Sequence, residues 1–176
     1  MGFALGSFNQ QTMELNMRYT LKMIMLLISL SWISGCATAN KGVINKNVIK
    51  SEVRQAFNGL IEASKALDSN RYFQFFDHDK FSGLNADGTV WHSIKDLQAL
   101  ILPGFAMIEK SVSLEFNNVK VTVINQTTAI LVNEYKQTLQ LKSGDIIKQS
   151  GGGTQVWSKS QGVWKLVSVS ASAASH

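Results

Sequence analysis

The chain holds one cysteine, one proline and few charges, only 16% of its 176 residues. A lone cysteine cannot close a disulfide within the chain, which excludes a disulfide scaffold. Low charge beside 45% hydrophobic residues excludes a disordered chain, which stays solvated by being charged and poor in apolar groups. Long hydrophobic runs are also scarce. The one candidate, Met23–Ile33, has 11 residues where a spanning helix needs about 20, so a multi-span membrane protein is excluded. Lys and Arg outnumber Asp and Glu by 17 to 12, but the cations are scattered. No phosphate-tracking stripe forms, and nucleic acid is not an expected partner. G-x-S-x-G, H-E-x-x-H and Walker loops are absent, and no second cluster completes a metal-ligand spacing, so neither a metal nor a cofactor is expected.

What is present begins with an address. Arg18 and Lys22 precede the short apolar run, as in a signal peptide. Met17 then fits the true start, and residues 1–16 fit an over-extended reading frame; a real extension is the competing reading. The run closes on Ile33-Ser34-Gly35-Cys36, which resembles the bacterial lipoprotein signal box. That resemblance implies cleavage before Cys36 and acylation of its thiol, so that the membrane is a partner through Cys36. At ~0.8 kcal/mol per buried CH₂, two or three acyl chains hold a protein permanently. The competing reading is a buried core cysteine. By the same resemblance, Ala37 in place of Asp implies an outer-membrane location facing the periplasm. Glu14, Arg18 and Lys22 precede Cys36, so the chain from Cys36 on carries +4.

The expected organisation is a leader over 1–35, a lipidated tether over 36–46, one domain over 47–172 and a tail over 173–176. Ile49, Val53, Phe57, Leu60 and Leu67 recur at helical steps. Arg71–Phe76 predicts a short aromatic helical turn, Asn85–Gly88 a hairpin. Ser93 and Asp96 have capping-box spacing and open a third helix expected to end near Pro103-Gly104. Alternating strands follow, with turns at Asn125–Thr128, Lys142–Asp145 and Ser160–Gly162. Bulges are expected at Asn117-Asn118 and at Gly151-Gly152-Gly153. Helices first and a meander after predict an α+β fold.

The closing segment, Gly153-Thr-Gln-Val-Trp-Ser-Lys159 and then Gly162-Val-Trp164-Lys-Leu-Val167 to Ser172, resembles the end of SnoaL-like, nuclear-transport-factor-2-like domains. The resemblance covers about residues 46–172. It implies a cone: a strongly curved antiparallel sheet wrapped around about three helices, with a pocket between. It also implies homodimerisation through the outer sheet face. The histidine of the family pattern falls on Ser170 here. Plain alternation puts Ser168 and Ser170 on one face with Trp164 and Leu166. A pocket lined by that face carries hydroxyls and no imidazole, so it lacks a base that titrates near neutrality.

Asp77 and Asp79 are candidate bases, with Tyr72 as proton donor by analogy to isomerases of this superfamily. A solvated turn is the competing reading for both aspartates. His92 beside Trp91 is a second candidate base for the cone, with a hydrogen-bonded core or rim residue as the competing reading. Tyr135 shares its strand face with Leu131, Asn133 and Gln137, a mixture that suits a pocket wall; a face open to water is the competing reading. Phe76, Trp91 and Trp157 are read as pocket or core aromatics. Three functions are weighed. The first is a non-catalytic lipoprotein that binds a small apolar ligand or a second copy. The second is an isomerase, cyclase or hydrolase using an aspartate with a tyrosine. The third is a subunit of an envelope assembly. Intact-mass measurement of membrane-extracted protein is expected to show acyl groups on Cys36, and Cys36→Ser to release the protein from membranes. An unmodified thiol in the native protein overturns the anchor.

Overall fold

The computed structural model describes residues 45–174. The expected leader, Cys36, the tether up to residue 44 and His176 lie outside the described residues. Helix α1, Lys46–Lys65, starts one residue earlier than its periodicity suggests, because the Asn45 side chain accepts from the Val48 N–H at 3.2 Å and caps the first turn. Its inward stripe is Ile49, Val53, Phe57, Leu60 and Ala63. Leu67, at φ +54°, breaks the helix. Asp68 then caps α2, Ser69–Phe73, by accepting from the Arg71 N–H at 3.0 Å.

Strands β1, Ser82–Leu84, and β2, Val90–Trp91, form the small hairpin. Helix α3, Ile94–Met107, opens where expected, with the Asp96 carboxylate accepting from the Ser93 N–H at 3.0 Å. It does not stop at Pro103 but runs through it. Proline in a helix leaves the carbonyl four residues back without its donor. Here Ala99 and Pro103 are both exposed, so water can solvate that carbonyl.

The long strands are β3, Ile108–Asn125, β4, Thr128–Leu141, β5, Ile146–Ser160, and β6, Val163–Ala173. The sheet order is β2-β1-β6-β5-β4-β3. The fold is the expected α+β cone, but the sheet is mixed rather than wholly antiparallel, since β1 runs parallel to β6. The cause is visible in the backbone. The Asp77 N–H donates to the Leu166 carbonyl at 3.0 Å and the Leu166 N–H to the Phe75 carbonyl at 2.8 Å. The chain leaving α2 is thereby laid along the free edge of β6.

Curvature comes from unequal strands. At each register shift between β3 and β4 the extra residue lies on β3, including the shift across Asn117–Lys120, where Asn118 takes φ +51°. An added residue bends the strand that carries it, and it also disrupts an edge that would otherwise invite pairing. The glycine triplet holds no bulge: Gly151, Gly152 and Gly153 pair in regular register with Tyr135, Glu134 and Asn133. Their role is close approach, because a Cβ on Gly151 would collide with the Ser172 carbonyl oxygen. The bulge of this strand pair is at Val167, left over between the pairs Val156–Ser168 and Trp157–Leu166.

The core fills one end of the cone. Trp157, Leu131, Leu166 and Val53 are fully buried there. Glu52 fastens α1 to β5 and β6: its Oε2 accepts from Lys159 Nζ and from Trp164 Nε1, each at 2.7 Å. Lys159, and then Trp164, hold the Glu52 carboxyl below the usual range. Gly151→Ala is expected to destabilise by about 1–3 kcal/mol, the usual range for forcing a methyl into a filled position. Gly152→Ala, whose Cβ would meet nothing nearer than Ser172 Oγ at 3.4 Å, should cost less. Urea denaturation of the two variants checks the contrast.

Candidate functional site

Between α1, α3 and the concave sheet face lies a cavity of about 450 Å³. Phe57, Leu60, Ile61 and Ser64 reach it from α1, and Leu100, Ile101, Gly104 and Phe105 from α3. The sheet contributes Phe116 from β3, Tyr135 and Gln137 from β4, and Gln149 and Gln155 from β5. The concave face also changes character along β5. Pairing places Gly151 and Gly153 opposite Ala173 and Ala171, so small residues succeed Trp157 on that face.

Tyr72 projects from α2 into the same wall, its ring packed on Phe73, Phe76 and Phe105 at centroid distances of 5.3, 5.2 and 5.6 Å. Burial pushes its pKa up to about 12. The side chain nevertheless keeps accessible surface, which the cavity explains: the hydroxyl is walled by protein yet faces a hollow. Tyr72 is therefore a neutral donor across the physiological range. Gln155 is buried and oriented, its Oε1 accepting from Trp157 Nε1 at 2.9 Å. That bond occupies the amide oxygen and leaves the amide N–H₂ for other contacts. Asn133 lies on the same face, 4% exposed, with no hydrogen-bond partner for its Oδ1 among the described residues.

The structure brings together only part of the sequence-derived set. Tyr72 and Tyr135 share the cavity. Asp77 and Asp79 do not reach it. The Asp77 Oδ1 accepts from the backbone N–H groups of Asp79 and Lys80 at 3.2 and 3.1 Å, and its Oδ2 meets Lys80 Nζ at 3.5 Å. Both oxygens serve the turn, and Asp79 is exposed. His92 is exposed, with its backbone N–H bound to Asp96 Oδ2 at 2.9 Å. Phe76, Trp91 and Trp157 are core. Ser168 and Ser170 are displaced by the bulge at Val167, which reverses the alternation assumed for β6. They pair with Val156 and Thr154 on the convex face, while Val169 turns inward, packed against the core.

Sequence reasoning missed Gln149, Gln155 and the α3 contribution. The parity of Gln155 with Trp157 along β5 was the available signal. Among the described residues no three His, Cys, Asp or Glu side chains gather as a metal site.

Residues 53–176 match the family described as the SnoaL-like domain. The chain belongs to the SnoaL-like domain family. No curated protein sequence is similar enough to match. Solved structures share the fold. One is a putative dehydratase of the NTF2-like family from Streptomyces avermitilis, at 17% identity and a TM-score of 0.65, covering 74% of this chain and 99% of that one. Another is a putative scytalone dehydratase from Novosphingobium aromaticivorans, at 10% identity and a TM-score of 0.67, with coverages of 74% and 87%. A third is the association domain of Caenorhabditis elegans CaMKII, at 18% identity and a TM-score of 0.57, with coverages of 72% and 96%. At these identities the likeness is one of fold.

In this SnoaL-like domain the cavity wall holds no carboxylate, imidazole or amine. Its ionisable groups are two phenols. Because the Tyr72 phenol is raised when folded, it contributes stability that is present below about pH 10 and lost as pH rises toward about 12. Alkaline absorbance titration is expected to show one late-titrating tyrosine, and Tyr72→Phe to remove it together with that alkaline loss of stability.

Proposed function

We propose that this SnoaL-like domain is a cell-envelope binding protein, tethered by acylated Cys36 and facing the periplasm, whose cone holds a small, neutral, largely apolar molecule without converting it. The observation that carries this reading is the wall itself. Leu, Ile and Phe side chains supply apolar contact, and tyrosine hydroxyls and glutamine amides supply hydrogen bonds to a neutral polar end. A carboxylate or phosphate ligand would enter with no cation to meet it, at a large desolvation cost.

The family fold also carries enzymes, and two structural relatives are described as putative dehydratases. An elimination or isomerisation needs a base within hydrogen-bond reach of the substrate proton. The aspartates read as that base serve a surface turn instead. The uncovered convex face, with Thr122, Ile130, Val132, Thr154, Val156, Ser168 and Ser170, supports pairing with a second copy, as the resemblance implied.

Native mass spectrometry of protein purified without detergent exchange is expected to show a bound neutral molecule of a few hundred daltons. Gly104→Leu places a side chain where a Cβ meets nothing within 4 Å, so it should fill the cavity, empty the complex and leave folding intact. A ligand retained unchanged in that variant, or turned over by the wild type, overturns the reading.

A further inference from the structure

The second half of α3 is apolar on every side. Between Asp96 and Glu109 the sequence carries no charge at all, and from Ala99 to Ile108 it carries no polar side chain. A helix of this kind is normally buried. This one buries only Ile94 and Leu97, both in its first turn. Leu100, Leu102 and Met107 stand 47%, 45% and 59% exposed. Ile101, Gly104 and Phe105, on the other side, line the cavity. Leu100 does both, so the exposed surface is continuous with the cavity rim. The β4–β5 hairpin abuts the end of the helix, with the Lys142 N–H donating to the Met107 carbonyl at 2.9 Å. Lys95, Lys110 and Lys142 stand around the patch in sequence, with Asp96, Glu109 and Asp145 among them.

We infer that the C-terminal half of α3 dips into the bilayer surface and opens the cavity toward the acyl layer, so that the ligand enters from lipid rather than from water. The helix has 14 residues and no described helix is long and apolar enough to cross a membrane, so the contact is interfacial. Exposed apolar side chains with a charged margin suit that depth, the apolar groups entering the edge of the acyl layer and the charges staying among the headgroups. The inference rests on the proposed anchor, which also selects the occupant. From Cys36 to Asn45 the chain spans at most roughly 30 Å, about the length of α1 itself. A domain on so short a leash lies against the membrane whichever way it turns. Exposed apolar patches mark a partner surface, and the nearest one is the bilayer.

The test uses the full acylated protein reconstituted into phosphatidylglycerol-containing vesicles. With Cys36 acylated, Leu102→Cys or Met107→Cys supplies one free thiol for a polarity-sensitive fluorophore; Ala86→Cys, exposed in the turn between β1 and β2, is the control. Labels at 102 and 107 are expected to shift to the blue and to be quenched by phospholipids brominated on their chains, while the label at 86 does neither. Vesicle-bound protein whose 102 and 107 labels match the 86 label overturns the membrane contact and leaves the anchor standing. Protein that fails to float with vesicles overturns the anchor, and the helix inference with it. A blue shift that grows with protein concentration in vesicle-free buffer assigns the patch to a second copy instead and also overturns the inference.

Discussion

A sheet that curls around helices must fill its concave face, and in this one the order of side chains along one strand divides that face. On the concave face of β5, Trp157 is fully buried and Gln155 is locked to it by the indole N–H. Beyond them come Gly153 and Gly151, facing alanines of β6. Large residues make one end solid and small ones make the other hollow. Interiors pack to a nearly uniform density, so a hollow persists only where neighbouring backbones cannot move inward. A Cβ on Gly151 would collide with the Ser172 carbonyl oxygen, so β5 and β6 approach there more closely than a side chain at 151 allows.

That asymmetry sets the chemistry of the wall. The groups left at the open end are amides and phenols, which hydrogen-bond without titrating near neutrality. The orphaned Oδ1 of Asn133 follows the same logic from the other side. A buried acceptor without a donor costs about 1–3 kcal/mol, and its cross-strand partner is Gly153, which offers no side chain to satisfy it. Local rules are broken in this way mostly where a site is being kept for something other than stability.

Much of this was legible in the sequence because periodicity reports burial. The α1 stripe, the capping pair Ser93 and Asp96, and the mixed face of Tyr135 and Gln137 can all be read from spacing alone. What could not be read depends on partners distant in the chain. The parallel pairing of β1 with β6 follows from hydrogen bonds between Asp77, Leu166 and Phe75, which no local pattern announces. The glycine triplet could be recognised as special but not assigned, because a bulge and a close approach leave the same mark. A proline ends or kinks most helices, but Pro103 lies inside α3, and the carbonyl it orphans belongs to the exposed Ala99.

The serines of β6 show how a single unpaired residue redirects a functional argument. Counting alternately from Trp164 puts Ser170, the counterpart of the family's histidine, inside the cone. With Val167 left over, the inward positions become Leu166 and Val169, and Ser170 pairs with Thr154 outside. The lack of an imidazole in the cavity is therefore a matter of register as well as identity: in this backbone a histidine at 170 would face away from the cavity. Val169 is the inward position beside Gln155, and its γ-carbon would already crowd a Cβ placed on Gly83, at 3.2 Å. That site is occupied by packing. A base at position 170 could face the cavity only if the bulge moved, and moving it would change the pairing of Trp157 with Leu166 at the solid end of the cone.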